Sequence, residues 1–336
     1  MKRRSVFVCL AAAAALASAL SAFAQPSGKV AHVAFVATTS PLSEITGPAP
    51  LNPAPRGLVH GLRELGWVEG RNLILERRTA EGNWDRLPEI VAELVQRNTE
   101  VIVVPGGAAA RIMKDGHFTV PIVVAGIDDL VRSGLAQSLA HPGGNVTGVL
   151  SDVDVGSDAK RLQLMLELLP KKPSRVAFLG TKADWENDVG RNVQELAEKV
   201  GVRLIHVEGG TRGFASAFEV IRKQKPDALF VARGPSTYGF RHQIGEFALS
   251  SRLPSSCPGT TEFTEAGCLM SYGGSIFELF RRAASHVDRI LKGEKPGDLS
   301  IERPLAFELT INLKTARALG ITVPDAFRAR ADRVIE

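Results

Sequence analysis

Short loops rich in glycine, serine and threonine follow several apolar runs of this chain, and their residue types suit the binding of a small ligand. Thr38 to Ser40 follow the apolar run at 30–37, and Gly106-Gly107-Ala108 follow the run at 101–104. Glycines let a ligand approach the backbone, and the free N–H groups of a helix start favour a carboxylate or a similar anion. Glycine pairs at such junctions also occur without any ligand, so a purely connecting role is the alternative.

Charged and aromatic side chains in the second half of the chain offer hydrogen-bond donors and aromatic surfaces to a small ligand. Arg233 could bind a carboxylate through its planar fork of N–H groups, or it could pair with an acid such as Asp184. Trp185 could stack on a planar ligand or anchor a helix, and Tyr238 could line a cleft or lie at a solvated helix start. The predicted ligand-binding residues are Thr38, Thr39, Ser40, Gly106, Gly107, Ala108, Gly126, Asp128, Asp184, Trp185, Arg233, Ser236, Tyr238, Thr260 and Glu262.

Catalytic chemistry finds little support in the sequence. It contains no HExxH, no GxSxG, no phosphate-binding loop of the Walker type and no GxGxxG. The seven histidines are scattered, so no spacing predicts a zinc site. The neighbouring acids Asp128 and Asp129, and Glu262 with Glu265, are interpreted as solvated residues. We therefore expect no enzyme activity, no metal and no cofactor.

The elements that position these loops follow from an alternation of apolar runs and amphipathic segments. The runs at 30–37, 73–76, 101–104 and 122–125 are each followed by a segment of helical period, the last of them at 131–139. Such runs predict a parallel sheet that is covered on both faces. After a glycine-rich segment at 141–145 the alternation starts again, with predicted strands at 175–179, 202–207 and 228–232. In such sheets ligands bind beyond the carboxyl ends of the strands, where the candidate loops lie.

This pattern predicts an α/β fold with two doubly wound parallel-sheet lobes, joined by a hinge at the glycine-rich segment. A length of 336 residues also favours two domains over one. Late strands at 269–272 and 307–313 are places where the chain could cross between the lobes. We predict a first lobe of residues 28–149 plus about 273–299, a second lobe of residues 150–272 plus about 300–336, and a ligand cleft between them.

The first residues have the order of a secretory signal peptide. A basic start at 2–4 precedes an apolar run at 6–20, and Ala22 and Ala24 frame a cleavage site before Gln25. We expect residues 1–24 to be removed and the mature protein to be periplasmic, without insertion into the membrane. A lipoprotein anchored through Cys9 is the alternative. Loss of Lys2, Arg3 and Arg4 lowers the formal charge from +5 to +2, which gives no argument for a nucleic-acid partner.

Two cysteines remain after such processing, Cys257 and Cys268. In an oxidising compartment they could form a disulfide. The glycines and the proline between them allow the turn that this bond requires. The alternative is that both are small apolar residues of the core.

Several longer motifs resemble one family of exported substrate-binding proteins of ABC transporters. These motifs are LGWVEGRN at 65–72, RLPE at 86–89, PGGNVTG at 142–148, EAG at 265–267 with LMSYG at 269–273, and INLKTA at 311–316. The family includes the tryptophan- and phenylalanine-binding lipoproteins of Gram-positive bacteria, and the resemblance extends from about residue 30 to residue 336.

This resemblance implies the periplasmic-binding-protein type I fold, with two α/β lobes, three hinge crossings and a ligand held between the lobes. It also implies a partner, the membrane permease to which a binding protein delivers a small solute, and it implies no particular solute. From these arguments together we expect a monomeric receptor that captures a small organic ligand, such as an amino acid or another carboxylate, by hinge closure. A soluble periplasmic sensor that docks on a separate signalling receptor is the alternative function.

Overall fold

The computed structural model describes residues 30–127, 129–151, 156–210, 213–259, 261–303 and 307–336, which form two α/β lobes. The first lobe contains a five-stranded sheet in the order β2-β1-β3-β4-β5, and every neighbouring pair is parallel. Its strands are β1 (Ala31–Ala37), β2 (Leu73–Thr79), β3 (Val101–Pro105), β4 (Ile122–Ile127) and β5 (Val146–Leu150).

The second lobe contains a seven-stranded sheet in the order β12-β11-β10-β9-β8-β6-β7. Its pairs are parallel except for β10 with β11, which is antiparallel. The strands are β6 (Arg175–Gly180), β7 (Arg203–Glu208), β8 (Ala228–Val231), β9 (Ser255–Pro258), β10 (Met270–Gly273), β11 (Glu308–Asn312) and β12 (Arg333–Ile335). The predicted fold class, two parallel-sheet lobes, is confirmed.

Helices cover both faces of each sheet because the central strands are apolar on both sides. In β3, for example, Val101 to Val104 are all buried, with side chains in the cores on the two opposite faces. The helices are α1 (Leu42–Ile45), α2 (Pro53–Glu64), α3 (Leu87–Gln96), α4 (Gly107–Asp115), α5 (Ser157–Leu168), α6 (Lys182–Glu186), α7 (Asp188–Lys199), α8 (Ala215–Gln224), α9 (Pro235–Gly239), α10 (Arg241–Ser250), α11 (Thr261–Glu265), α12 (Ile276–Leu291), α13 (Leu313–Leu319) and α14 (Asp325–Arg328).

Helix α12 follows strands of the second lobe in sequence but packs in the first lobe. Its Phe280 contacts Phe35 edge to face, with ring centroids 5.8 Å apart. Two glycines of α2 allow a close approach to α12. A Cβ atom at Gly57 would lie 2.2 Å from the carbonyl oxygen of Phe277, and one at Gly61 would lie 2.3 Å from that of Arg281. The two helices therefore meet backbone to backbone.

The chain passes between the lobes three times. It leaves the first lobe after Leu150, returns between β10 and α12, and leaves again after Glu302. Glu302 still belongs to the first lobe, because its N–H donates to the carbonyl of Gly148 at 3.0 Å. The third crossing thus comes slightly later in the sequence than position 299.

Two expectations in this region are wrong. Residues 131–139 form turns and bends in place of a helix. The Asp129 carboxylate accepts hydrogen bonds from the N–H groups of Val131 and Arg132, and Gly134 has a φ of +68°, a conformation that ends a helix.

The glycine-rich segment at 141–145 is not the hinge. It leads into β5, and the Asn145 amide donates to the carbonyls of Phe118 and Val120 inside the first lobe.

The predicted signal peptide, residues 1–24, and Cys9 lie outside the described residues. Within the described ranges, no helix has the length and apolar character that a membrane crossing requires.

Candidate ligand-binding cleft

A cleft lies between the two lobes, at the carboxyl ends of their parallel strands. It holds about 770 Å³ of empty space, a figure that includes the part open to solvent. Its walls are Phe35, Ala37, Thr38, Thr39, Ser40, Asn52, Ala54, Pro105, Gly106, Ala125, Gly126, Ser151, Arg233, Gly234, Pro235, Tyr238, Pro258, Gly259, Phe263, Gly274, Ile276, Leu279 and Phe280.

The first lobe supplies hydroxyl groups and glycines to the cleft. Thr38, directly after β1, is buried, and its hydroxyl has no hydrogen-bond partner. The Ser40 hydroxyl accepts a hydrogen bond from the side-chain amide of Asn52 at 2.9 Å. The side-chain oxygen of Asn52, Oδ1, accepts from the Ala54 N–H and so caps α2. Gly106 has a φ of +72°, and a Cβ there would lie 3.2 Å from Pro235 of the other lobe. Gly106 thus permits both the left-handed turn and the approach of the second lobe.

The second lobe supplies a cation, Arg233, which lies two residues after the end of β8. One of its terminal nitrogens, Nη2, donates to Asp158 Oδ1 at 3.0 Å. Asp158 also accepts from Arg161 Nε at 3.1 Å. The side chains of Asp158 and Arg161 are 3% and 0% exposed, against 16% for Arg233. Arg233 is therefore the member of this buried cluster that faces the cleft.

The charges of this cluster stabilise one another. Burial alone would raise the pKa of Asp158, but the guanidinium groups of Arg161 and Arg233 outweigh burial and hold it below its usual value. Burial lowers the pKa of Arg161 to about 10, so Arg161 stays charged at neutral pH. Its other nitrogens donate to the carbonyls of Ser256 and Val231 at 3.1 and 2.8 Å, and its guanidinium lies 3.9 Å from the ring centre of Phe230.

Tyr238 lines the cleft from α9, and its hydroxyl is buried without a hydrogen-bond partner. The guanidinium of Arg241 lies 4.6 Å from the centre of its ring, and Phe263 contacts the ring edge to face at 6.0 Å. Burial raises the pKa of Tyr238 above its ordinary value, so the phenol remains a proton donor at neutral pH. The remaining surface is mainly apolar, with Phe35, Ile276 and Phe280 on the side of the first lobe.

This arrangement suits a ligand with an apolar body and a few polar groups. The Arg233 guanidinium provides charge-assisted hydrogen bonds that a carboxylate accepts. The hydroxyls of Thr38 and Tyr238 need partners, because a buried polar group without one is costly.

Seven predicted site residues line the cleft: Thr38, Thr39, Ser40, Gly106, Gly126, Arg233 and Tyr238. Gly107 and Ala108 lie behind Gly106 in the first turn of α4, and Ser236 is buried within α9. None of these three belongs to the cleft walls. Asp128 and Thr260 lie outside the described residues.

The predicted site residues Asp184, Trp185 and Glu262 do not line the cleft. Asp184 accepts hydrogen bonds from the Thr181 N–H and hydroxyl and caps its own helix. Trp185 stacks on His206 with ring centroids 5.1 Å apart, so it is a packing residue. Glu262 pairs with Arg56 across the lobes. The expected alternative pairing of Arg233 with Asp184 is also replaced, because Arg233 pairs with Asp158.

Sequence reasoning missed several residues of the site. Asn52, Ile276, Leu279 and Phe280 line the cleft although they lie in or next to the helices α2 and α12. The buried pair Asp158 and Arg161 was also missed. The only sequence signal of this pair is the i, i+3 spacing of opposite charges, which exposed helices share.

Within the described ranges, no group of three or more metal-binding side chains is arranged to hold an ion.

A disulfide joins Cys257 and Cys268 next to the cleft. Their Cα atoms lie 6.4 Å apart, and both residues are fully buried. The linked segment contains Pro258, Gly259 and Phe263, all of which line the cleft. The bond therefore restrains a wall of the site.

We expect the replacement of both cysteines by alanine to lower the free energy of unfolding by about 2–3 kcal/mol, because the unfolded chain gains freedom. Urea unfolding measures this loss. Reduced wild-type protein is the control, because it lacks the bond but keeps both sulfur atoms, so it shows how much of the loss is due to the bond alone. Thiol counting on denatured, unreduced mature protein should find none. Two free thiols per chain would contradict the disulfide.

Two α/β lobes with a cleft at their facing strand ends define a two-lobed ligand-binding protein. A family model described as ABC transporter substrate binding protein matches residues 42–335. The chain therefore belongs to this family, as its motifs predicted, and the family is one of binding proteins and not of enzymes.

Individual relatives agree with this assignment. The tyrosine-binding protein of Clostridioides difficile is 22% identical over 288 residues, which is 83% of this chain and 80% of that protein. A conserved domain protein from Vibrio cholerae is 26% identical, with a TM-score of 0.78 over 91% of this chain and 100% of its own. The ABC domain in complex with L-Trp from Streptococcus pneumoniae is 24% identical, with a TM-score of 0.77 over 91% of this chain and 99% of its own.

Proposed function

We propose that this protein is the solute receptor of an ABC importer, and that it captures an aromatic amino acid or a related aromatic carboxylate without catalytic turnover. The observation that carries this proposal is the composition of the cleft. Arg233 places a cation beside aromatic and aliphatic walls, and Thr38 and Tyr238 add hydroxyls from opposite lobes. The names of the tyrosine-binding relative and of the L-Trp complex support the same ligand class.

The receptor works by closure of the lobes in this proposal. A ligand that contacts both walls binds the closed form more tightly than the open form, so it shifts the population toward closure. The closed surface then presents the ligand to a permease of the inner membrane. Residues 1–24 direct export, and the mature protein acts as a monomer in the periplasm.

Calorimetric titration of the mature protein tests the ligand class. We expect heat of binding with L-tyrosine, L-tryptophan or L-phenylalanine, and none with L-serine or L-lysine, which lack the apolar ring. Arg233→Gln should weaken binding about 10- to 100-fold, because it removes a charge-assisted hydrogen bond to the carboxylate.

Arg330→Gln is the matched control, since Arg330 pairs with Glu167 on the surface of the same lobe. A thermal melt of each variant checks that the fold is kept. Failure of all three aromatic amino acids, and of phenylacetate as a related aromatic carboxylate, to bind would overturn the ligand class. Unchanged affinity in a folded Arg233→Gln protein would remove Arg233 from the site.

A further inference from the structure

Among the described residues three ion pairs join the lobes. One is Arg132 with Asp188, and the other two lie at the rim of the cleft. Glu44 of α1 accepts a hydrogen bond from Arg241 Nη2 at 3.0 Å, and Arg56 Nη2 of α2 donates to Glu262 Oε1 at 3.3 Å. Each lobe thus contributes one acid and one base. This pattern favours a single alignment of the two surfaces, because a shift that brought like charges together would cost energy.

Of the two rim pairs, Glu44–Arg241 is the better shielded from water. The Arg241 side chain is 6% exposed and that of Glu44 is 19% exposed. The Arg56 side chain is 41% exposed, so its bridge to Glu262 is more strongly screened. Separation of the lobes breaks both pairs, since the partners of each pair belong to different lobes.

Tyr238 connects these pairs with the cleft. Its ring lines the cleft on one side and lies under the Arg241 guanidinium on the other. Arg241 Nη1 also donates to the Tyr238 carbonyl at 3.2 Å. Tyr238 also contacts Phe263 edge to face, and Phe263 is the sequence neighbour of Glu262. A ligand that fixes the Tyr238 side chain therefore also fixes the lobe-two ends of both bridges.

We propose that Glu44–Arg241 and Arg56–Glu262 form a latch that holds the closed lobes together, and that Tyr238 links this latch to the ligand. The proposal rests on the proposed function only in that closure encloses a ligand. With the lobes in this arrangement, the buried hydroxyls of Thr38 and Tyr238 have no protein hydrogen-bond partner, which opposes the latch. A ligand that hydrogen-bonds to them removes this opposition, so that closure becomes stable when the cleft is filled.

The distance between the lobes in the ligand-free protein tests the latch. Spin labels on cysteines introduced into the mature protein at the exposed positions Glu93 and Lys223 report on the two lobes, and Cys257 and Cys268 are bonded to each other. We expect Glu44→Gln or Arg241→Gln to lower the ratio of closed to open molecules about three- to tenfold. The double variant should lower this ratio no further than the more severe single variant does. In the wild type, about 0.5 M salt should also lower the ratio of closed to open molecules.

Two further variants sharpen the test. Glu64→Gln removes a pair with Arg281 that lies within the first lobe, and it should leave the distances unchanged. Tyr238→Phe keeps the ring under Arg241 but removes the buried hydroxyl, and should raise the closed population of the empty protein about two- to fivefold. Distances that coincide in the wild type, Glu44→Gln and Arg241→Gln would overturn the latch, as would additive effects in the double variant. Addition of L-tyrosine to the labelled wild type is read separately, because its failure to shift the distances concerns only the proposed ligand.

Discussion

Replacement of Gly61 by valine is expected to destabilise the first lobe by about 3 kcal/mol. A Cβ at this position would lie 2.3 Å from the carbonyl oxygen of Arg281 and 2.8 Å from the Cβ of Ala284, both on α12. Neither atom belongs to a flexible side-chain end, so the two helices have to separate. Denaturant unfolding measures the loss.

Arg63→Val is the control for this substitution. It places the same β-branched residue on an exposed position of the same helix, and so reports the intrinsic cost of valine in a helix. The difference between the two variants is the cost of forcing the helices apart. Equal unfolding midpoints would show that α2 and α12 have room that their backbone contact does not indicate.

Replacement of Arg161 by methionine is expected to cost about 3–5 kcal/mol, because it leaves a buried carboxylate with one of its two cationic partners. It also removes the donors to the carbonyls of Ser256 and Val231. Arg161→Lys keeps the charge but not the planar fork, so its free energy of unfolding should lie between those of Arg161→Met and the wild type. Wild-type stability in Arg161→Met would mean that the cluster with Asp158 and Arg233 contributes nothing to the fold.

The same cluster sets a pH dependence whose sign follows from the lowered pKa of Asp158. A carboxyl whose pKa is lower in the folded than in the unfolded protein stabilises the fold above its unfolded value. That stabilisation disappears as the pH falls through the folded value. Unfolding curves below about pH 4 should therefore show a loss of stability in the wild type that is smaller in Asp158→Asn.

The alternation of strands and helices could be predicted because strands buried on both faces are apolar throughout. The sequence assigns residues 273–299, which contain α12, to the first lobe only through the late strands where the chain could cross, because the apolar stripe of α12 by itself would suit either sheet. The failure at 131–139 has a local cause. Val131, Leu135 and Leu139 keep helical spacing, but Gly134 adopts a left-handed conformation and the chain turns there.

The loops of the cleft could be located because parallel sheets place ligands at the carboxyl ends of their strands. That rule identifies Thr38, Gly106 and Arg233 but does not give side-chain directions. Trp185 follows β6 like a cleft residue, yet its ring turns to His206 on the neighbouring strand. Opposite charges three positions apart are typical of exposed helix faces, so Asp158 and Arg161 gave no sign of full burial.

The placement of α12 also fixes the order in which this chain can acquire structure. All five strands of the first sheet are complete by Leu150, yet one apolar face of that sheet is covered by Leu279, Phe280 and Ala283. During synthesis this face is therefore covered only in part, by Leu58 and Leu62 of α2, until α12 has been made. The second lobe is completed later still, because its strands β11 and β12 follow α12 in the sequence. Neither lobe can therefore complete its apolar core before α12 and the segments after it have been made.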